Sequence, residues 1–197
     1  MQYSIRIVVM CVVIALAAYS QELLINGDFE DPHGKGWDTV SSISDTGMVT
    51  HSIETEGVLK LSLSGACYTT GSSLKASQVV DVQGLELEGL TFSAKKRFSS
   101  HAIEGMNITS IIISYISNSG IPLGSTKLFQ FSSIQGVPIN NVGWLNELNQ
   151  NSYSISDSVW DTISLNVGNE ITQIGTINPE DIAKVEVMIF DTAIVYS

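Results

Sequence analysis

Lys184-Val185-Glu186-Val187-Met188-Ile189-Phe190 alternates residue by residue, with Val185, Val187 and Ile189 on one side. A period of two with β-branched enrichment is the pattern of a strand with a buried face. The same reading applies upstream. Ser110 to Ser117 sets Ile111, Ile113 and Tyr115 against Ile112 and Ile116. Thr162 to Val167 alternates strictly. Leu90, Phe92 and Ala94 share one face, as do Leu59, Leu61 and Leu63, and Ser77 to Val82 follows less cleanly. Asn26-Gly27, Asn118-Ser119-Gly120 and Asn178-Pro179 punctuate the runs as turns. No window of about 12 residues carries a helical stripe. Pro179 to Ala183 has the composition of one helical turn, with Asn178 as its cap and acids behind it. Seven or eight strands with polar connections imply an all-β chain folded as a two-sheet β-sandwich. Ser132 to Ser158, rich in Asn and Ser around Trp144, Leu145 and Tyr153, stands apart as a long loop or loose hairpin.

The N-terminus has a different character. Arg6 is the single charge ahead of Ile7 to Ala18, an apolar run of 12 residues that is too short to span a bilayer. Ala18-Tyr19-Ser20 puts small residues at −3 and −1. Residues 1–20 therefore read as a secretory signal peptide cleaved before Gln21, with an uncleaved anchor as the alternative. Residues 21–197 then form one domain, secreted to the extracellular space or cell surface, with no membrane insertion after processing. Cys11 leaves with the signal, so Cys67 stands alone, and the core must hold the fold without an intramolecular disulfide.

Charge narrows the partners. The 197 residues carry 9 Lys and Arg against 20 Asp and Glu, a net charge of −11. Nucleic acid is excluded as a partner on that ground, since a phosphate backbone calls for clustered bases. Anionic membrane is disfavoured for the same reason. Neutral sugars and divalent cations remain. The one basic cluster, Lys95-Lys96-Arg97, is either a solvated strand end or a contact for an acidic sugar. Catalysis has little support: there is no G-x-S-x-G elbow, P-loop or dinucleotide fingerprint. His33, His51 and His101 lack metal-ligand spacing. Glu54 with Glu56 and Glu86 with Glu88 imitate a glycosidase dyad in spacing only. The chain is read as not an enzyme. Asn107-Ile108-Thr109 is a glycosylation sequon where the source glycosylates.

Glu22-Leu23-Leu24-Ile25-Asn26-Gly27-Asp28-Phe29-Glu30, followed by Gly36-Trp37, resembles the opening of carbohydrate-binding modules of the family 4/9/22 type, which are galactose-binding-like jelly-roll sandwiches. Leu59-Lys60-Leu61, Ser77-Gln78-Val79-Val80, Gly89 to Lys95 and Trp160 to Leu165 look like later strands of that family, in order. Together these pieces cover most of residues 22–195. The resemblance implies a jelly-roll topology and a non-catalytic, lectin-like role. It also implies a structural calcium ligated by the first-strand glutamate, here Glu30, with Asp28 near it; a merely solvated acidic surface is the alternative. The acidic pair that usually marks the family's last strand is missing near Ala193-Ile194-Val195. That strand is therefore expected to be degenerate or absent, and Asp191 is a distant substitute for its acid.

Sugar recognition needs aromatic planes against C–H faces, with amides and carboxylates for the hydroxyls. The candidate ligand-binding residues are Trp144, Tyr153, Asn146, Tyr115 and Phe98. Trp144 is equally readable as a plug at the sandwich end, and Tyr115 as core. Trp37 and Trp160 match positions that resemble structural tryptophans of the family, and both are read as core. The function expected is recognition of a polysaccharide or glycan. The alternative is a structural or adhesive surface protein that self-associates or packs on another protein.

Overall fold

The computed structural model describes residues 4–16, 23–25, 36–42, 48–54, 58–64, 72–97, 106–133, 149–154 and 160–194. Among them are eleven strands: β1 (Ser4–Leu16), β2 (Asp38–Ser42), β3 (Met48–Glu54), β4 (Val58–Ser64), β5 (Ser72–Asp81), β6 (Leu90–Arg97), β7 (Met106–Ser117), β8 (Pro122–Ser133), β9 (Gln150–Ser154), β10 (Asp161–Asn166) and β11 (Ile182–Ile194). One sheet has the order β10-β6-β1-β4-β3, the other β2-β5-β11-β7-β8-β9. The result is the two-sheet β-sandwich that the alternation predicts.

The alternating runs do what their chemistry requires. On β6, Leu90, Phe92 and Ala94 are buried while the residues between them reach outward. On β11, Val185, Val187 and Ile189 enter the core. On β7, Ile111, Ile113 and Tyr115 do the same. These residues pack with Leu74 and Ala76 of β5 and Leu128 of β8 in one apolar cluster between the sheets. Each fully buried Ile or Phe contributes about 1.5–3 kcal/mol relative to exposure. The run Lys184–Phe190 belongs to β11, a strand of 13 residues paired with β5 on one side and β7 on the other. β11 ends at Ile194, and of the segment where the closing strand is expected to be degenerate or absent, residues 195–197 lie outside the described residues.

Two elements depart from the sequence reading. Val167–Ile174 is an α-helix, α1, rather than the end of a strand. The Asn166 side chain accepts from the Asn169 backbone N–H at 2.9 Å, and Gly175 closes the helix at φ 72°. Val167 and Ile171 turn into the core. Eight residues are too few for a stripe to register in a longer window. β9, inside the Asn-rich segment, runs parallel to β8, unlike every other paired strand. The expected turn after Asn178 forms as a 3-10 turn, Pro179–Asp181, with the Asn178 side chain accepting from the Glu180 N–H.

Trp37 is core, as expected, at 8% exposure. The glycine before it has φ +86°, and a Cβ there would stand 2.8 Å from both Gln78 Nε2 and Ile25 Cβ. The Gly-Trp pair is thus a passage under Gln78 followed by an indole driven inward. β1 overlaps the apolar run read as a signal and pairs with β4 on one side and β6 on the other.

Candidate functional site: a groove on the six-stranded sheet

Because β11 and β7 send one set of side chains into the core, their alternate residues lie on the opposite face of the sheet, where Ser110 and Ile112, with Lys127 and Phe129 of β8, are nonetheless buried and Glu186, Met188 and Phe190 are half-buried. The register then lines those residues up in rows. Phe190 of β11 stands opposite Ser110 of β7, which stands opposite Phe129 of β8. Met188 faces Ile112, and Ile112 faces Lys127. Glu186 faces Ser114, and Ser114 faces Ser125. A cavity of about 620 Å³ lies over these rows, floored by Ile112, Met188 and Phe190 and edged by Ser114, Lys127 and Glu186.

The ends of the groove are held in place. Lys75 sits opposite Phe190 in the register, yet its ammonium reaches four residues along β11 to Glu186 Oε1 at 2.8 Å. The Lys75 side chain therefore lies along the sheet face beside the groove. At the other side Asn149 forms a rim. Its carbonyl accepts from the Ser125 N–H at 3.1 Å, and its side-chain Oδ1 accepts from Thr176 Oγ1 at 2.7 Å. Asn149 has φ 61°, a left-handed conformation that Asn tolerates better than most residues. Gly124 lets it approach: a Cβ there would collide with the Asn149 carbonyl and with Ile177. The groove is an apolar strip bordered by hydroxyls, an amide and an ion pair, and its volume lies within the range of small-ligand sites.

The candidate residues from sequence fall elsewhere. Trp144, Asn146 and Phe98, and the calcium candidates Glu30 and Asp28, lie outside the described residues. Tyr115 is fully buried, and its hydroxyl pairs with Thr126 Oγ1 at 2.7 Å. It has no exposed face for a sugar, which corrects the ligand-binding reading in favour of the core one. Burial pushes its phenol pKa up, and the Thr126 hydrogen bond offsets part of that. Tyr153 is half-buried on β9, and its neighbours Gln150 and Ser152 are the residues level with Ser125 and Lys127 of the groove. Its own hydroxyl donates to Glu170 Oε2 at 3.1 Å. Burial, then the Glu170 charge and its hydrogen bond, raise the Tyr153 pKa.

Tyr115 and Tyr153 are thus brought together, but around a carboxylate. Glu170 of α1 is 5% exposed and also accepts from Thr126 Oγ1 at 3.2 Å and Asn151 Nδ2 at 2.8 Å. A second buried acid, Asp191 of β11, accepts from Thr109 Oγ1 at 3.0 Å, while its Oδ2 has no hydrogen-bond partner. Burial pushes its pKa up to about 7, against lowering hydrogen bonds from Thr109 and the Thr192 backbone. Among the described residues no group of three or more His, Cys, Asp and Glu side chains is placed to hold a metal.

Trp160, read as core, is 39% exposed and precedes the edge strand β10. The groove residues Ile112, Met188 and Phe190 were not singled out in the sequence. Their signal was there: Ile112, Met188 and Phe190 are apolar on the face away from the core, as in a strand covered on both faces, and Ile112 is only 8% exposed.

No family model and no curated protein matches this chain. Among solved structures, it is similar to a family 11 carbohydrate-binding module from Clostridium thermocellum, in complex with a β-1,3-1,4-mixed-linked tetrasaccharide. The identity is 13%, the TM-score is 0.38, and the match covers 81% of this chain and 86% of that one.

Proposed function

We propose that this protein is a secreted, non-catalytic carbohydrate-binding domain of the family 4/9/22 type, whose residues 21–197 act after removal of a signal peptide. The groove floored by Ile112, Met188 and Phe190 is the observation that carries the reading. Phe190 supplies a plane for the C–H face of a neutral sugar, and Ser114, Asn149 and the Lys75–Glu186 pair supply partners for hydroxyls. Trp144, Asn146 and Phe98 remain part of the proposed surface, and calcium held through Glu30 and Asp28 part of the proposed scaffold.

The test is affinity electrophoresis of residues 21–197 through gels containing mixed-linkage β-glucan, xylan or galactomannan. Retardation by at least one of them is expected. Phe190→Ala is expected to weaken it about tenfold, the worth of one aromatic contact. Retardation by none, or retardation indifferent to Phe190 and to Trp144→Ala, overturns the reading. Calcium is tested separately, by a rise in melting temperature on adding the ion that Glu30→Gln abolishes.

One observation favours the adhesive alternative. Val40 on the edge strand β2 and Val79 on β5 are 61% and 53% exposed, and Ile25 beside Val79 is 58% exposed. Apolar residues at an open edge invite another chain. A concentration-dependent rise in mass by light scattering, lost in Val40→Lys, would support assembly.

A further inference from the structure

The opposite sheet carries a second surface of different chemistry. Trp160 lies just before β10, an outer strand of the five-stranded sheet, with 39% of its area in solvent. Two cations from the adjacent strand β6 lie over its ring: Lys95 Nζ is 5.9 Å from the centroid and Arg97 Cζ is 5.7 Å. Strand alternation explains the pairing. Lys95 and Arg97 are two residues apart and face the same way, whereas Lys96 between them turns inward to zero exposure. The neighbouring acid, Asp161, is turned to Lys96 at 3.7 Å. Among the described residues, neither Lys95 nor Arg97 makes an ion pair.

Charge makes this arrangement specific. The chain holds only nine basic residues against a net charge of −11, and three of the nine are consecutive here. A polyanion is repelled by the molecule as a whole, so any attraction has to come from a local site. Ser93, Thr162 and Ser164 continue the same outward face beside the indole: Lys95 is level with Thr162, and Ser93 with Ser164. The surface therefore combines a partly open indole, two cations and a row of hydroxyls.

We propose that Trp160, Lys95 and Arg97 form a binding site for an acidic polysaccharide, with the indole against a sugar C–H face and the two cations on its carboxylate or sulfate. The site shares with the proposed function the premise that glycans are the ligands. It shares no residue with the groove, so the two stand or fall separately. Exposed cation–π contacts of this kind are weak individually. Their part here is to hold both cations beside the ring, so that the side-chain entropy of ordering them is partly spent before the ligand arrives.

The experiment is affinity electrophoresis of the protein in EDTA, through gels containing polygalacturonate, dextran sulfate or neutral mixed-linkage β-glucan. Retention by polygalacturonate, by dextran sulfate or by both is expected to weaken as salt is added. Trp160→Ala and the double variant Lys95→Gln/Arg97→Gln are each expected to lower it about five- to tenfold. Trp160→Phe keeps most of it, and Phe190→Ala leaves it unchanged. The arm that responds names the anionic group. Absence of retention by both polyanions, or retention insensitive to the Trp160 and Lys95/Arg97 variants, overturns the proposal. Failure to bind any of the three neutral polysaccharides overturns the groove and leaves this site standing. All the substituted side chains at this surface are at least partly exposed, and circular dichroism confirms that each variant is folded.

Discussion

Gln78 binds Ile25 in both directions, as a neighbouring strand would. Its Oε1 accepts from the Ile25 N–H at 2.6 Å, and its Nε2 donates to the Ile25 carbonyl at 2.9 Å. The same Nε2 donates to the Gly36 carbonyl at 2.8 Å. One amide on β5 thus ties down two separate N-terminal segments and closes the passage that carries Trp37 into the core. Gln78→Ala is expected to cost about 2–3 kcal/mol, because it leaves three backbone groups short of partners. Gly36→Ala costs a similar amount through its positive φ and the approach of Gln78 Nε2. The two share an atom, so their effects should be less than additive in a double-mutant cycle read by urea denaturation. Additive losses would show that the clash and the hydrogen bonds are unrelated.

Glu170 joins α1 to the edge of the six-stranded sheet. Thr126, Asn151 and Tyr153 all point donors at one carboxylate. Glu170→Ala removes the acceptor and strands the donors, for an expected loss of about 2–4 kcal/mol, or roughly 5–10 °C in Tm. Tyr153→Phe removes one donor and should cost about 1 kcal/mol. Its ring packs against the core cluster and is retained. Equal losses in the two variants would mean that the tyrosine hydroxyl, not the carboxylate, is the keystone.

Asp191 gives a pH dependence whose sign is set by the direction of its shift. Its folded pKa of about 7 lies above the ordinary 3.8. Below the ordinary value both states hold the proton and the contribution is fully present. Between the two values the folded state keeps a proton that the unfolded chain has lost, so stability falls as pH rises, and the contribution is gone above about 7. The total is a few kcal/mol. Other groups titrate too, so the readout is the difference between wild type and Asp191→Asn, in EDTA, from pH 4 to 8. Wild type should lose stability relative to the variant across that range. A flat difference would place Asp191 among ordinary solvated carboxyls.

Much of the fold was legible because its central strands advertise themselves. Val185, Val187 and Ile189, or Leu90, Phe92 and Ala94, alternate so regularly that only a strand buries them together. What was hidden depends on partners far along the chain. Gln150-Asn151-Ser152-Tyr153-Ser154 has no pattern of its own and becomes a strand because β8 offers an edge. The groove exists only once the register sets Met188 of the sequence-distant β11 beside Ile112, and Ile112 beside Lys127 of the β7–β8 hairpin. Tyr115 was singled out as an aromatic, but its strand position sent it inward. Trp160 was assigned to the core from a motif, but a tryptophan just outside the last paired residue of an outer strand has no opposing sheet to cover it fully.

The apolar N-terminus supplies the last prediction. β1 sits between β4 and β6, so the proposed processing before Gln21 would take a strand out of the middle of one sheet and leave two facing edges unpaired. The other sheet keeps all six of its strands, β2, β5, β11, β7, β8 and β9, and with them every residue of the groove. Residues 21–197 are therefore expected to melt below the full chain. A peptide of residues 4–16 added in trans should restore part of the difference, since an unpaired edge is a template for any strand of suitable pattern. Binding of neutral polysaccharide should be the same in both forms. Equal melting temperatures, with no response to the peptide, would mean that β1 contributes nothing to the sandwich. A loss of polysaccharide binding in the shorter form would tie the groove to a sheet that shares no residue with it.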